Sequence, residues 1–210
     1  SPHVAGILQL QSSLRNAPVV RELPTVVLVG APNVGKSSIV RCISSAQPEV
    51  NNYPFTTRGL TIGHVEIDHL QCQIMDSPGL LARTERNEME LLTLASLEHL
   101  PTAVCYVMDF SSFAGDKCSS IQDQLELRRE IRGRFPKRPW IDVVSKIDLG
   151  CDTDAMAQLK SINTGEPILQ VSLQENTGVE QLQTEIIQLL SRVRIVLDAM
   201  AALQEENEAS

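Results

Sequence analysis

The sequence predicts an α/β domain of three layers, a mostly parallel central sheet covered by helices, with part of a helix ahead of it and a long helix at its C-terminal end. Three observations carry this expectation. Gly30-Ala31-Pro32-Asn33-Val34-Gly35-Lys36-Ser37 fits the phosphate-binding pattern G-x-x-x-x-G-K-[ST] without a mismatch. Apolar runs of strand length alternate with helical patterns along the rest of the chain, as parallel strands joined by crossover helices require. The residues with evident chemistry fall at the ends of those runs, where an open parallel sheet places its ligand crevice.

Taken in order, the elements support this. Val4, Ile7, Leu8, Leu10 and Leu14 recur at roughly helical spacing and are followed by Pro18 and Pro24. So short a helix is marginal alone. Residues 1–23 are therefore expected to be the end of a preceding helical domain and its linker, and a chain opening at Ser1 without methionine is expected to be part of a longer protein. Residues 24–192 are expected to form the main domain. Val26-Val27-Leu28-Val29 reads as a buried strand, and Ser38-Ile39-Val40-Arg41-Cys42-Ile43 opens a helix, so the glycine loop has the strand and helix it needs on its two sides. Residues 51–59 are polar and turn-forming and include Thr56 and Thr57. Residues 60–68 and 70–76 read as strands joined by a tight turn near Asp68-His69, the second running into Asp76-Ser77-Pro78-Gly79, which fits D-x-x-G.

Residues 85–100 have a helical pattern. Ala103-Val104-Cys105-Tyr106-Val107-Met108 is a continuous apolar run ending at Asp109, as expected of a central parallel strand. A helix over 119–134, a strand over 140–144 leading into Ser145-Lys146-Ile147-Asp148, a helix over 152–161 and a short strand over 168–171 leading into Ser172-Leu173-Gln174 follow. Residues 179–206 carry one long helical pattern, about 28 residues or ~42 Å. That exceeds the width of the domain, so residues 193–210 are expected to be a helical extension that overhangs it and ends in an acidic tail.

Composition sets limits on function. With 210 residues and 42% hydrophobic content, the chain can bury roughly 70% of its unfolded surface. A formal charge of −8 argues against a general nucleic-acid-binding surface, whose affinity comes mainly from Lys and Arg. The cysteines Cys42, Cys72, Cys105, Cys118 and Cys151 form no C-x-x-C pair, which indicates neither a zinc site nor a disulfide framework, and a reducing compartment is the simplest reading. No apolar run approaches the ~20 residues of a membrane helix. Neither a membrane partner nor homo-oligomerisation is expected.

The motif residues imply nucleotide chemistry. The glycines let the backbone wrap its N–H groups around an anion, and the helix N-terminus adds the positive end of its dipole. Lys36 is placed to reach β- and γ-phosphates and Ser37 to ligate Mg²⁺. An Asp at the end of a buried strand, Asp76, suits the water shell of that ion, and Gly79 gives an N–H that can closely approach a γ-phosphate. Four loops converge on one nucleotide: residues 30–37, Thr56/Thr57, residues 76–79 and residues 145–148. The last selects the base, because the carboxylate of Asp148 can accept from guanine N1–H and N2–H₂ together and adenine offers no such pair. Lys146 lays its alkyl stem along the base. GTP and GDP, rather than adenine nucleotides, are the expected ligands.

The set GxPNVGKSS, YPFTT, DSPG and SKID resembles the Obg-related branch of the translation-factor-class P-loop GTPases. Gly63-His64, Arg86-Asn87-Glu88-Met89-Glu90, Tyr106-Val107-Met108-Asp109 and Gln124-Leu125-Glu126-Leu127 are similar, within that branch, to the nucleolar GTP-binding protein family. The resemblance is close over residues 24–148. It implies a three-layer P-loop GTPase domain, a preceding helical domain, and a role in assembling the large ribosomal subunit, with ribosomal RNA and assembly factors as partners. By the same match Asn33, Val34, Gly35, Lys36, Ser37 and Ser38 hold the phosphates. Thr57, or else Thr56, is the switch threonine that closes on Mg²⁺ and the γ-phosphate, and Ser172 and Leu173 lie in the loop that meets guanine O6 through a backbone N–H. Asn33 stands where relatives with potassium-stimulated hydrolysis hold a monovalent cation, which implies K⁺ dependence. The compartment implied is the nucleolus or nucleus, the alternative being an organellar matrix (mitochondrion or plastid).

Two departures from the family pattern bear on activity. Ser145 replaces the usual Asn or Thr, and its shorter side chain is expected to lose a bond to the base or to the phosphate loop, costing about 1 kcal/mol and about tenfold in affinity. Leu80 follows Gly79 where many switch GTPases have a water-orienting Gln. Glutamine-bearing switches already hydrolyse at only roughly 10⁻⁴ to 10⁻² per second unaided, so slow turnover, stimulated by K⁺ or a partner, is expected. The competing reading is a nucleotide-binding assembly scaffold with little or no hydrolysis; an ATPase of the Obg-like group is disfavoured by Asp148. Residues 128–138 hold six basic residues and one acidic one, which fits either an RNA-phosphate contact or a solvated helix face. Arg58 is a candidate charge-neutralising finger, and His64 and His69, on a hairpin expected to lie near the switch, are read as structural.

Overall fold

Val26, Val27, Leu28 and Val29 are completely buried, as a strand covered on both faces must be. They belong to β1 (Thr25–Val29) of a computed structural model that describes residues 23–45, 48–51, 60–82, 87–111 and 119–208. With β2 (Glu49–Asn51), β3 (Leu60–Ile67), β4 (Leu70–Asp76), β5 (Thr102–Asp109), β6 (Trp140–Ser145) and β7 (Ile168–Val171) it forms one sheet in the order β2-β3-β4-β1-β5-β6-β7. The β4, β1, β5, β6 and β7 strands run parallel to one another, and β3 is antiparallel to both β4 and β2.

The helices are α1 (Lys36–Ile43), α2 (Glu88–His99), α3 (Ile121–Arg134), α4 (Thr153–Ile162) and α5 (Val179–Glu208). Because side chains alternate across a strand, β1 serves two cores. Val27 and Val29 pack with Leu94 and Leu97 of α2, Leu125 and Ile131 of α3 and Leu159 of α4. Val26 and Leu28 pack with Ile39 and Val40 of α1 and with Leu182, Ile186, Leu189 and Leu190 of α5. The three-layer α/β architecture read from the sequence is the one observed.

Local chemistry explains where the helices start. Asn87 and Glu90 form a capping box at α2: the Glu90 N–H donates to Asn87 Oδ1 at 2.9 Å and the Asn87 N–H to Glu90 Oε2 at 2.8 Å. Ser120 caps α3 by accepting from the Asp123 N–H at 3.1 Å, and Asp152 caps α4 by accepting from the Asp154 and Ala155 N–H groups. Burial along α5 ends near Val193, and Val196, Met200 and Leu203 beyond it are exposed.

Three expectations need correction. Residues 49–51 add an edge strand that their single apolar residue, Val50, gave little reason to expect. The Asp68-His69 turn, where both residues have left-handed backbones, lies at the far end of β4 from Asp76, about 20 Å away at strand rise. It is not near the phosphate loop, and His69 faces solvent beside Glu66.

The third concerns the basic run. Arg128 is 2% exposed and grips Asp142 of β6 with Nε at 3.2 Å and an Nη at 2.7 Å. Asp142 also accepts from Trp140 Nε1 at 2.9 Å and Asn163 Nδ2 at 3.2 Å. Arg132 pairs with Glu166, and both guanidinium groups lie against the Trp140 ring. Arg134 bonds Glu98, and Arg138 donates to the Leu97 carbonyl at 2.6 Å. Four of the six basic residues thus fasten α3 and the start of β6 to the domain.

Removing one member of so buried a pair strands the other. Arg128→Met is expected to lower the unfolding free energy by about 3–5 kcal/mol in urea titrations, whereas Arg129→Met, at an exposed position of the same helix, should change it by less than about 0.5 kcal/mol.

Candidate functional site

The chain leaves β1 at Val29 and turns through residues 30–35 into α1. Two glycines define how tightly this loop is held. At Gly30, where φ is +155°, a Cβ would stand 2.2 Å from the Val107 carbonyl oxygen; at Gly79 it would stand 2.6 Å from the backbone nitrogen of Pro32. Neither approach admits a side chain. The Leu80 N–H donates to the Gly30 carbonyl at 3.0 Å and the Ser77 N–H to the Leu28 carbonyl at 3.3 Å, so the segment after β4 is laced directly to the loop. No side chain caps the N-terminus of α1, and its Ser38 and Ile39 N–H groups donate to the Gly35 carbonyl at 3.1 and 3.0 Å, so the positive end of the helix dipole faces what the loop encloses.

Lys36, 6% exposed, arches back over the loop and donates from Nζ to the Ala31 carbonyl at 2.7 Å and the Gly30 carbonyl at 3.2 Å. Beside it the Ser37 hydroxyl donates to Asp76 Oδ2. The second carboxylate oxygen, Oδ1, is buried with no hydrogen-bond partner in the structure. Burial pushes the Asp76 carboxyl above the ordinary carboxylate range, against the opposing pull of the Ser37 hydroxyl, Lys36 and Arg41. A hydroxyl and an underbonded carboxylate side by side are hard oxygen donors of the kind that suits Mg²⁺, an ion usually held by one or two protein groups with water and phosphate completing its shell. Among the described residues no cluster of three or more His, Cys, Asp or Glu forms a metal site.

The base-side elements are tied to the same loop. Lys146, with a left-handed backbone at φ 56°, donates from Nζ to the Asn33 carbonyl at 2.6 Å and to Asp109 Oδ2 at 2.8 Å. The Ser145 hydroxyl lies 2.6 Å from the Val34 carbonyl and 3.0 Å from that of Met108, two acceptors for its one proton. Ser145 therefore reaches the phosphate loop, and the expected loss of a loop bond at this position is not observed. Asp148 sits two residues on, in a 3-10 turn (Ile147–Leu149) and half-buried. After β7, the Ser172 N–H donates to the Thr177 carbonyl at 3.0 Å. Ser172 cannot give that same N–H to a base, so a base contact from this loop falls to a neighbour such as Leu173.

Thr56, Thr57 and Arg58 lie outside the described residues. Leu80 is completely buried in the core with Phe110 and Leu94, so its side chain points away from the loop. Three supporting residues escaped the sequence reading. Asp109, 2% exposed, orients Lys146 and accepts from the Ser111 N–H at 2.9 Å. Gln124 fixes Asp109 in turn, accepting from its N–H at 2.8 Å and donating to its carbonyl at 3.0 Å. Glu90 accepts from the Leu81 N–H at 3.0 Å and so holds the segment after Gly79. The signals were an acid closing an apolar run, a glutamine on the buried face of a helix, and the N-x-x-E spacing of the capping box.

Comparison with known proteins agrees with this geometry. Residues 25–146 match the sequence profile of the family described as 50S ribosome-binding GTPase. An uncharacterised protein of Methanocaldococcus jannaschii is 37% identical over 150 residues, covering 70% of this chain and 41% of that protein. Nucleolar GTP-binding protein 1 of Drosophila melanogaster is 34% identical over 179 residues, 81% of this chain and 27% of that protein. The chain thus spans less than half the length of these relatives. A crystal structure of a Plasmodium falciparum protein assigned as nucleolar GTP-binding protein 1 superimposes with a TM-score of 0.69 at 29% identity, covering 92% of this chain and all of that one.

Two outcomes follow for the site. Asp109→Asn removes the charge that holds Lys146 while leaving the Gln124 bonds to the backbone, and should raise the Kd for GDP about tenfold, the worth of one charge-assisted hydrogen bond, measured by titration calorimetry. Asp76→Asn is expected to raise the melting temperature of the nucleotide-free protein by about 2–4 °C at pH 7. The sign follows from the raised carboxyl: its favourable contribution to folding is present at low pH and is lost as pH rises through its folded-state value. The advantage of the variant should therefore vanish in acid, where Asp76 is itself neutral.

Proposed function

The chain belongs to the 50S ribosome-binding GTPase family, and from that premise we propose that it is a GTP-hydrolysing molecular switch acting in assembly of the large ribosomal subunit. Lys36 and the loop amides from Asn33 to Ser38 hold the phosphates. Ser37 and Thr57 ligate Mg²⁺, with Asp76 holding its water shell, and the ion supplies charge neutralisation to the β- and γ-phosphates when bound. Gly79 presents an N–H to the γ-phosphate, Asp148 reads guanine, and Leu173 lies in the loop that meets O6. Asn33 holds K⁺.

The observation that carries the reading is the direct lacing of the segment after Asp76 to the phosphate loop, through Gly79 against Pro32 and the Leu80 N–H on the Gly30 carbonyl. A change in what the loop holds is transmitted at once to residues 77–82, and release of the γ-phosphate frees Gly79 and Thr57 together. The names of the relatives support a ribosomal and nucleolar or nuclear setting for this Obg-like switch, with an organellar matrix as the alternative address. Ribosomal RNA and assembly factors are the expected partners. The fully buried Leu80 favours slow unaided turnover, since no side chain there orients water. It also favours the second reading, a nucleotide-binding scaffold that hydrolyses little or nothing.

GTP turnover with Mg²⁺ separates the two. Multiple turnovers faster in K⁺ than in Na⁺, increased at least tenfold by isolated large ribosomal subunits and abolished by Lys36→Ala, are expected of the switch. Subunit binding that ignores the nucleotide, with no turnover under any condition, would replace it with the scaffold.

A further inference from the structure

The end of the domain opposite the nucleotide site carries a second feature. A cleft of about 310 Å³ opens where α5 leaves the sheet, lined by Pro101, Thr102, Lys137, Arg138 and Pro139 from the strand-entry edge and by Val193 and Val196 from the helix. From it an apolar stripe continues along the overhang. Val193, Val196, Met200 and Leu203 follow one another at i, i+3, i+7 and i+10, the spacing of one helix face. Val193 is 2% exposed, but Val196, Met200 and Leu203 are 48%, 47% and 59% exposed. A stripe that starts buried and runs on into solvent is an unfinished packing surface.

We propose that residues 4–14 of this same chain dock on that stripe, packing along α5 beyond Val193. Val4, Ile7, Leu8 and Leu14 give this segment a matching apolar face. The tether places it there. The described chain enters at Leu23 and Pro24, the Pro24 carbonyl accepting from the Gln73 N–H at 2.8 Å, and the next residue, Thr25, pairs with Thr102 of the cleft itself. Residues 15–22 can span up to about 26 Å when extended. The overhang from Val193 to Glu208 is about 23 Å long, so the segment reaches all of it. Charge agrees: residues 1–21 contain Arg15 and Arg21 and no acid, whereas residues 193–208 contain Arg194 against Asp198, Glu205, Glu206 and Glu208. An 11-residue segment is marginal as a helix alone, and pairing it with the overhang would bury both apolar faces. An RNA occupant is disfavoured by the same acidic charge.

Hydrogen exchange on the full chain, read by mass spectrometry, tests this. Amides of residues 4–14 should exchange at least tenfold more slowly than in a free peptide, and Met200→Asp and, separately, Leu8→Asp should each abolish that protection. Leu8→Asp should also speed exchange across residues 196–203. Both variants should keep wild-type exchange in β1 and β5, which ties the effect to the contact rather than to misfolding. Unprotected amides at 4–14 in the wild type, or protection that survives both substitutions, would overturn the proposal. So would sedimentation showing a wild-type dimer that Met200→Asp dissolves, which would assign the stripe to a second copy.

Discussion

The ammonium of Lys146 is the point on which the site depends. It joins the Asn33 carbonyl of the phosphate loop to the Asp109 carboxylate at the end of β5, and Lys146 itself follows β6. Three separate stretches of chain are thereby held in one register at one edge of the sheet. A charged group can do this because its partners are screened from water: Asp109 is buried, and its second oxygen is occupied by the Ser111 N–H. In bulk water the same pair would contribute little. The left-handed backbone at Lys146 is a local cost, and the bonds at the end of its side chain are what the strain secures.

The rest of the loop is shaped by exclusion as much as by attraction. Gly30 and Gly79 let backbone meet backbone from opposite sides, against Val107 and Pro32, and the Ser145 hydroxyl closes the third side at the Val34 carbonyl. A loop so confined has few ways to relax. Strain introduced at any of these contacts passes to the others, because interiors packed at this density do not deform smoothly. Glu90 extends the chain of constraint from the Leu81 N–H to the start of α2, and that gives a rigid helix a fixed relation to the phosphate loop.

The architecture was legible because it rests on periodicity. Continuous apolar runs at 26–29 and 103–108, of strand length and rich in valine, fit strands buried on both faces, and the phosphate loop fixes what stands before and after it. The short edge strand β2 was not legible, since Glu49-Val50-Asn51 owes its conformation to β3 beside it rather than to any preference of its own. The Asp68-His69 turn was legible in the chain, but not its place in the fold: a hairpin whose second strand points at the site carries its turn to the far end. At the site, the loop residues and Asp148 could be proposed from the sequence because their spacing is tied to their chemistry. Asp109 and Gln124 could not, because each acts on another residue far away in sequence. The basic run was misleading in the opposite sense. Charge density along a chain says nothing about where the side chains point, and Arg128 points at Asp142 inside the domain.

Asp76 shows what the fold gives up for this arrangement. A carboxylate with one oxygen buried and unbonded is unfavourable for folding, and nothing in the packing of β4 calls for it: Ile74 and Met75 on the same strand are simply core. The Ser37 hydroxyl, Lys36 and Arg41 compensate in part, but burial outweighs them. A divalent cation with its water shell would satisfy the stranded oxygen, and would do so best with phosphate at hand to share the charge. With such an ion bound, the folded state would be more favourable than without it. Coupling between the segment after Asp76 and the phosphate loop then needs no separate device, because the least satisfied group in the site is also the one where that segment begins.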